Sequence, residues 1–216
     1  MSVRLEIFFS FRFMSGFHVT GERAELWTDK ALTLDWHEAT EPIVPATTIK
    51  GWLRDGAERA LRSLSAPVCD ASTVSTTCGR CPVCEVFGHP REKSLLRFSD
   101  ARCRKTLRDV RTSVSLSRYR KTAYEERLFS TETAWYSTLE FKVQGIFSSD
   151  NKARRAAALL WLGAKMNYAI GSARSRGLGW VMLETFQARV NGQIVSVDVL
   201  AQELSALILD SGGSAS

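Results

Sequence analysis

No apolar run in this sequence is long enough to span a bilayer, which argues against a helical membrane protein. The N-terminal apolar run contains Glu6 and no cleavage site follows it, so we do not expect a signal peptide. Both absences predict a cytoplasmic protein without a membrane partner. The Gly-rich stretch near the C-terminus is not repeated elsewhere, which favours a single domain over residues 1–210 and a flexible tail over residues 211–216.

Hydrophobic residues make up 44% of the chain, which is enough for a full core. The 29 basic residues outnumber the 23 acidic ones, and the net charge is +6. This excess favours a polyanionic partner, although only mildly, because the acids are spread through the chain. Composition therefore suggests nucleic acid without locating a site for it.

Alternating apolar residues over 3–13 predict a strand with one buried face, and a helical pattern follows from Pro45 to about Leu64. Thr47 or Thr48 is the expected N-cap of this helix. The order β-α-β-β-α-β is that of a ferredoxin-like (RRM-like) fold of the α+β class. Its remaining members are predicted as strands at 95–101, 135–147 and 180–190 and a helix at 153–170, followed by a hairpin turn at 191–192 and a short helix at 198–209.

Residues 66–92 interrupt this order and hold a group of cysteines: Cys69, Cys78, Cys81 and Cys84. Short spacings of this kind can deliver four thiolates to a tetrahedral zinc ion, so we expect a structural zinc site that folds an apolar-poor insertion. An iron–sulfur cluster is the rival assignment, but the further cysteine expected soon after such a run is absent. His89 is an alternative to Cys69 as the fourth ligand.

Three glycines and two arginines fall within nine residues between an apolar helix and an apolar strand: Gly171, Arg174, Arg176, Gly177 and Gly179. Glycine lets main-chain N–H groups approach an anion, and arginine presents a charged fork to phosphate. Lys50 and Arg54 lie one turn apart at the start of the first helix, where N–H groups attract anions. A single cation is usually a solvated surface charge, but together these residues predict a groove for RNA phosphates.

Residues 104–135 are rich in Ser, Thr and basic residues and have few apolar ones, which predicts an extended hairpin or loop projecting from the domain. Such an arm reaches a partner without packing against its own core. Its basic residues favour a polyanion as that partner.

Four stretches in this order resemble motifs of the RAMP (repeat-associated mysterious protein) superfamily of CRISPR proteins. They are the Pro45–Arg54 helix start, the turn at Phe87 and Gly88 with its following strand, the Arg111–Glu132 "thumb" and the Gly171–Gly179 loop. The closest likeness is to the backbone subunit of type III effector complexes, which polymerises along the guide RNA. Two positions depart from the pattern: Ala46 replaces the usual glycine of the helix start, and Ser117 the usual acid of the thumb.

The resemblance implies that the chain binds CRISPR guide RNA and target RNA beside other effector subunits, including further RAMP subunits. The RNA contacts it implies come from His18, Lys50, Arg54, Arg111, Arg118, Arg120, Lys121, Arg174 and Arg176. It also implies cleavage of target RNA with Mg or Mn, dependent on an aspartate in the loop before Pro45. Spacing places Asp29 nearer the catalytic position and Asp35 nearer a second, structural acid, although both are also typical of loop caps or surface charges.

Three other functions stay open at the level of sequence. The first is a non-cutting backbone or capping subunit of the same kind of complex. The second is a stand-alone endonuclease that processes repeat RNA. A zinc-containing DNA-binding module is the weakest of the three, because no cysteine-flanked recognition helix follows Cys84.

Overall fold

The computed structural model describes residues 2–21, 23, 25–37, 41–71, 73–104, 106–135 and 138–212. Within these residues, four α-helices accompany a seven-stranded antiparallel sheet and a separate two-stranded one. This arrangement confirms the α+β class. None of the described helices combines the length and the apolar character needed to cross a bilayer.

The elements are numbered in chain order. The strands are β1 (Val3–Phe13), β2 (Ile43–Val44), β3 (Leu96–Phe98), β4 (Ala101–Arg102), β5 (Leu107–Leu116), β6 (Ala123–Trp135), β7 (Thr138–Phe147), β8 (Val181–Val190) and β9 (Gln193–Val195). The helices are α1 (Ala46–Ser63), α2 (Pro82–Phe87), α3 (Asp150–Met166) and α4 (Val197–Gly212). A single 3-10 turn covers Arg174–Arg176.

Strand β1 lies at the centre of the large sheet, whose order is β2-β4-β7-β1-β8-β9 with β3 beside β7. Every second side chain of β1 points into the core because successive residues of a strand face opposite sides. Phe9 and Phe11 are fully buried, and the Phe9 ring stacks on Phe141 of β7 with 4.8 Å between centroids. The alternation of apolar residues in the sequence of β1 therefore matches the alternation of buried and more exposed side chains in the structure.

Helices α1 and α3 pack closely because glycines stand where they meet. A Cβ at Gly163 of α3 would collide with the Leu53 carbonyl oxygen of α1, and a Cβ at Gly56 would collide with the Gly163 carbonyl oxygen. At the end of α3, Asn167 Nδ2 donates to the Trp52 carbonyl at 2.6 Å. These contacts fix α1 relative to the segment that leaves α3, which is the Gly-rich loop.

The start of α1 corrects one prediction. Pro45 is its N-cap, and neither Thr47 nor Thr48 caps the helix with its side chain. Instead, Asp100 Oδ1 accepts a hydrogen bond from the Ala46 N–H at 2.7 Å. Asp100 follows β3 and lies 54 residues after Ala46, so the cap is a tertiary contact that a local sequence motif cannot predict.

The segment after α1 is tied to the core by α2, whose Val83, Val86 and Phe87 are buried. At the other end of the chain, α4 runs through Gly212 and so includes the first two residues of the predicted tail, while residues 213–216 lie outside the described part. Asn191 and Gly192 connect β8 to β9 with positive φ angles of 51° and 85°, which is the geometry of the predicted tight hairpin turn.

Candidate nucleic-acid interface and metal centre

A groove separates α1 from the Gly-rich loop. Its volume is about 370 Å³, and it is lined by Val19, Thr20, Thr48, Gly51, Trp52, Asp55, Ile170, Gly171, Ser172 and Arg174. A second groove of about 590 Å³ shares Asp55, Gly171, Ser172 and Arg174 with it and extends to Arg59 and Tyr168. The two grooves are therefore continuous, and the sequence-predicted phosphate loop forms one wall.

Close backbone contacts hold this loop and explain two of its glycines. Gly171 and Gly179 have φ angles of +91° and +76°, and a Cβ at either would collide with a backbone carbonyl oxygen, of His18 and Ile170 respectively. The Ser172 N–H donates to the His18 carbonyl at 2.8 Å, and the Gly179 N–H donates to the Gly16 carbonyl at 2.8 Å. The loop is thus anchored at both ends to the segment that follows β1.

Between these anchors, Arg174 and Arg176 are exposed on the 3-10 turn. Their guanidinium groups are open to solvent, and Arg174 lines both grooves. An arginine presented in this way is free to pair with a phosphate oxygen without first breaking a buried contact.

The resemblance implies an RNA contact for His18, which would need an exposed side chain, but the residue lies inside the domain. Its side chain is fully buried, with Nδ1 at 2.6 Å from the Glu132 carbonyl oxygen and Nε2 at 2.9 Å from Thr20 Oγ1. Burial lowers its pKa, which favours the neutral ring. The histidine therefore links the loop after β1 to β6, and it is out of reach of a partner at the surface.

Lys50 and Arg54 occupy different surroundings although they lie one turn apart on α1. Lys50 is half-buried, and burial followed by the charge of Arg54 lowers the pKa of its amine. Arg54 donates to Glu58 Oε1 at 2.8 Å, to the Gly88 carbonyl at 3.1 Å and to Cys84 Sγ at 3.9 Å. Its guanidinium thus faces the cysteine segment, in a cavity that meets the groove of Arg174 at Gly51 and Asp55.

Asp29 is exposed beside β6. Its Oδ2 accepts hydrogen bonds from the N–H and the hydroxyl of Ser130, at 2.7 and 3.1 Å. These bonds, the backbone one first, lower the pKa of Asp29, so the carboxylate is ionised at neutral pH. The structure therefore holds a charged acid at a fixed place at the base of the projecting hairpin.

Asp35 is buried and structural. Its Oδ2 pairs with Arg102 Nε at 2.7 Å, and its Oδ1 accepts from the His37 N–H at 2.9 Å. Of the two aspartates, Asp29 and Asp35, only Asp29 is therefore exposed to solvent.

Strands β5 and β6 pair as a hairpin, and the four of its basic residues that are implied as RNA contacts are exposed: Arg111, Arg118, Arg120 and Lys121. A tight turn closes the tip, where Ser117 Oγ accepts from the Arg120 N–H at 3.1 Å and Lys121 has a positive φ of 55°. Val114 and Leu128 face each other across the two strands. They are 46% and 67% exposed, so these apolar side chains are open to solvent. The hairpin can therefore contact a partner through apolar as well as charged side chains, although its composition pointed to charged contacts alone.

The four cysteines of the 66–92 segment come together. Their sulfur atoms all lie within 4.8 Å of one another, with Cys69 Sγ at 3.7 Å from that of Cys81 and 3.5 Å from that of Cys84. A tetrahedral ion with Zn–S bonds of about 2.3 Å has S–S edges of about 3.8 Å. The donor set and its spacing therefore fit a single ion such as zinc.

The thiols differ in their tendency to ionise. Burial works against ionisation of Cys78, but N–H groups of Arg80 and Cys81, at 3.5 and 3.2 Å from its sulfur, lower its pKa to about 7. Burial raises the pKa of Cys84 to about 12. A thiol as enclosed as Cys84 stays protonated at neutral pH, and a bound metal ion would stabilise its thiolate.

Among the described residues, the metal-capable group consists of cysteines alone, with Cys69 as its fourth member. His89, the alternative ligand, packs its ring over Gly79, where a Cβ would lie 3.1 Å from Cε1, and its Nε2 lies 3.5 Å from Glu92 Oε2. The histidine thus borders the cysteine group without belonging to it.

Sequence reasoning missed the residues of β6 that organise the loop before α1. Glu132 is 5% exposed, pairs with Arg108 Nε at 2.8 Å and accepts from the Leu32 N–H at 3.0 Å. Lys30 forms a bridge with Thr131, one residue from Ser130. A serine or glutamate within a strand carries no motif, so only the pairing of distant segments reveals this role.

Comparison with known proteins gives the following relationships. The family model "RAMPs: RAMP superfamily" matches residues 37–182. A chain in the "Cryo-EM structure of the Type III-B Cmr-beta bound to cognate target RNA" is similar in fold, with a TM-score of 0.61 and 15% identity over 86% of this chain and 60% of that chain. This chain thus spans less than two thirds of that relative's length, and no curated protein matches it. Because the family match extends over more than half of its residues, the chain belongs to the RAMP superfamily.

Proposed function

We propose that this chain is a subunit of a type III CRISPR RNA-guided effector complex, which binds the backbone of the guide RNA and cleaves complementary target RNA in a divalent-metal-dependent reaction. Its partners are then the guide RNA, the target RNA and neighbouring effector subunits, including further RAMP subunits, in the cytoplasm. The observation that carries this proposal is the continuous groove between α1 and the Gly-rich loop in a chain of the RAMP superfamily.

The groove suits a ribose–phosphate backbone for physical reasons. One wall is the α1 surface that holds Thr48 and Gly51, close to the helix N-terminus, where N–H groups attract anions. The other wall carries Arg174 on a loop whose glycines let the main chain come close. Such a groove contacts phosphates without reading bases, which leaves the bases of a guide free to pair with a target.

Support for cleavage comes from Asp29. It is an exposed, ionised carboxylate whose contacts with Ser130 both go to Oδ2, which leaves Oδ1 for a cation such as Mg²⁺ or Mn²⁺. Either ion is commonly held by one or two carboxylates together with substrate phosphates. Supplied there, it would stabilise the charge that develops at the scissile phosphate, and Asp29 would fix its position relative to the attacking 2′-hydroxyl.

The finer features of the fold belong to the same proposal. The pattern β1-α1-β3/β4-β7-α3-β8 and the central position of β1 between β7 and β8 support a ferredoxin-like core. Within it, residues 66–92 act as a zinc-binding insertion held by Cys69, Cys78, Cys81 and Cys84. Residues 104–135 act as a thumb that reaches over the guide RNA or the next subunit through Arg111, Arg118, Arg120 and Lys121.

The test is a complex reconstituted from this chain, its genomic neighbours and a guide RNA. Asp29→Asn should reduce cleavage of a matched target at least 100-fold, because a neutral amide is a poor ligand for a divalent ion. Target binding should be unchanged, since the asparagine retains an oxygen that can accept from Ser130. EDTA should abolish cleavage by the parent complex.

Asp198→Asn, which removes an exposed acid at the start of α4, is the matched control and should cut normally. Normal cutting by the Asp29→Asn complex would contradict the catalytic assignment and favour a non-cutting backbone or capping subunit. A chain that co-purifies with no guide RNA, and alone cleaves repeat RNA without a divalent metal, would overturn the effector-subunit proposal in favour of a processing endonuclease.

A further inference from the structure

The face of the large sheet opposite the helices carries a groove of about 400 Å³. Its lining residues come from the three central strands: Glu6, Ile7, Phe8, Lys142, Gln144, Gln187 and Arg189. This groove lies on the other side of β1 from the buried row that includes Phe9 and Phe11. It is therefore separate from the groove between α1 and the Gly-rich loop.

Phe8 is the centre of this surface. It alternates with the buried Ile7 and Phe9 yet is only half-buried, and it stands opposite Lys142 of β7 on one side and Gln187 of β8 on the other. No aromatic ring of the described residues stacks on it, whereas Phe9 has three ring partners. An aromatic ring at the middle of a sheet, with polar neighbours on both sides, leaves a flat apolar surface open to solvent.

The charges around Phe8 are unevenly compensated. Glu6 is paired with Arg4 at 2.7 Å and accepts a hydrogen bond from Gln144 Nε2 at 3.2 Å. Lys142 and Arg189 are exposed, and their side chains have no ion pair or hydrogen bond within the described part of the chain. Glu6 also stands opposite Arg189 in the register of β1 and β8. The surface thus combines an open ring, two cations without ion pairs, one paired carboxylate and the amides of Gln144 and Gln187.

We propose that this face is a second nucleic-acid site, which binds about one nucleotide of a single strand with its base on Phe8 and its flanking phosphates at Lys142 and Arg189. An apolar protein partner would leave both cations without counter-charges, while a phosphate backbone supplies them. Single-stranded nucleic acids are bound in this way elsewhere, by aromatic rings on sheet surfaces flanked by basic side chains. The site needs neither the Gly-rich loop nor Asp29.

The test measures binding of fluorescent ten-nucleotide uridine and thymidine oligomers to the purified chain by anisotropy, in a background of Arg174→Ala with Arg176→Ala. In that background Phe8→Leu should weaken binding about tenfold through loss of stacking, and Phe8→Trp should restore it. Lys142→Gln with Arg189→Gln should lower the slope of log affinity against log salt by about 1.4. The two oligomers show whether the site prefers ribose or deoxyribose.

Lys152→Gln with Lys165→Gln removes the same charge from exposed positions on α3 and should leave the slope unchanged. Equal affinities of the Phe8→Leu and parent chains, or an unchanged slope after loss of Lys142 and Arg189, would overturn the proposal. So would self-association that these substitutions abolish without affecting oligomer binding, because the face would then be a contact between copies.

Discussion

His18 and Arg54 show that a residue type suited to RNA contact can be committed to the fold. Through Nδ1, His18 joins the loop after β1 to β6, and its Nε2 contacts Thr20 within that loop. Arg54 joins α1 to the cysteine segment through Gly88 and Cys84, and it also pairs with Glu58 of α1. Removing either side chain leaves polar groups without partners, which costs about 1–3 kcal/mol for each buried group. A variant of either residue that binds RNA more weakly would therefore also need a measurement of its stability, because partial unfolding alone would lower the affinity.

The buried state of His18 gives a prediction for acid stability. Burial lowers its pKa in the folded chain, so the unfolded chain binds the proton more readily, from about pH 6.5 downward. Stability is therefore fully present above that pH and is lost as the pH falls toward the folded pKa, by at most about 1.4 kcal/mol per pH unit. His18→Gln should make the free energy of unfolding in urea less dependent on pH between 7 and 5.

His37→Gln is the matched control, because that side chain is exposed and its contact with Asp35 uses only its backbone N–H. Parallel pH profiles for the parent chain and His18→Gln would show that His18 does not contribute to acid sensitivity.

At the scale of elements, local patterns predicted β1, α1, α3, β8 and the turn at Asn191 because each depends on neighbours in the sequence. The loop before α1, by contrast, is positioned by distant segments. Thr28, Asp29 and Lys30 contact Ser130, about a hundred residues away. The cap of α1 by Asp100 is equally remote. Such contacts arise when the chain folds and leave no periodic signal.

The 66–92 segment is an element whose order we expect to depend on metal. Ala66 and the apolar side chains of α2 lie in the core, while Arg54 and Arg62 hold other parts of the segment through the Gly88 and Cys69 carbonyls. Purified protein should contain about one zinc per chain by mass spectrometry, and Cys81→Ser should reduce this to near zero. The same variant should unfold at a lower temperature, because metal binding and folding of the segment are linked.

Cys103→Ala is the control for that substitution, since Cys103 is buried in the core outside the four-cysteine group and should retain the metal. Iron in place of zinc would contradict the assignment, and so would full metal content in Cys81→Ser.

For the whole molecule, the question is which of 29 basic side chains meet phosphate. A net charge of +6 attracts any polyanion, but only a cation that displaces counterions at contact adds to the salt dependence of binding. Arg174→Ala with Arg176→Ala should therefore lower the salt slope of guide-RNA binding by about 1.4, whereas Lys152→Gln with Lys165→Gln should lower affinity slightly and keep the slope. Equal salt slopes for these two double variants would mean that the Gly-rich loop acts through general charge. The proposal that the groove binds the guide-RNA backbone would then be wrong.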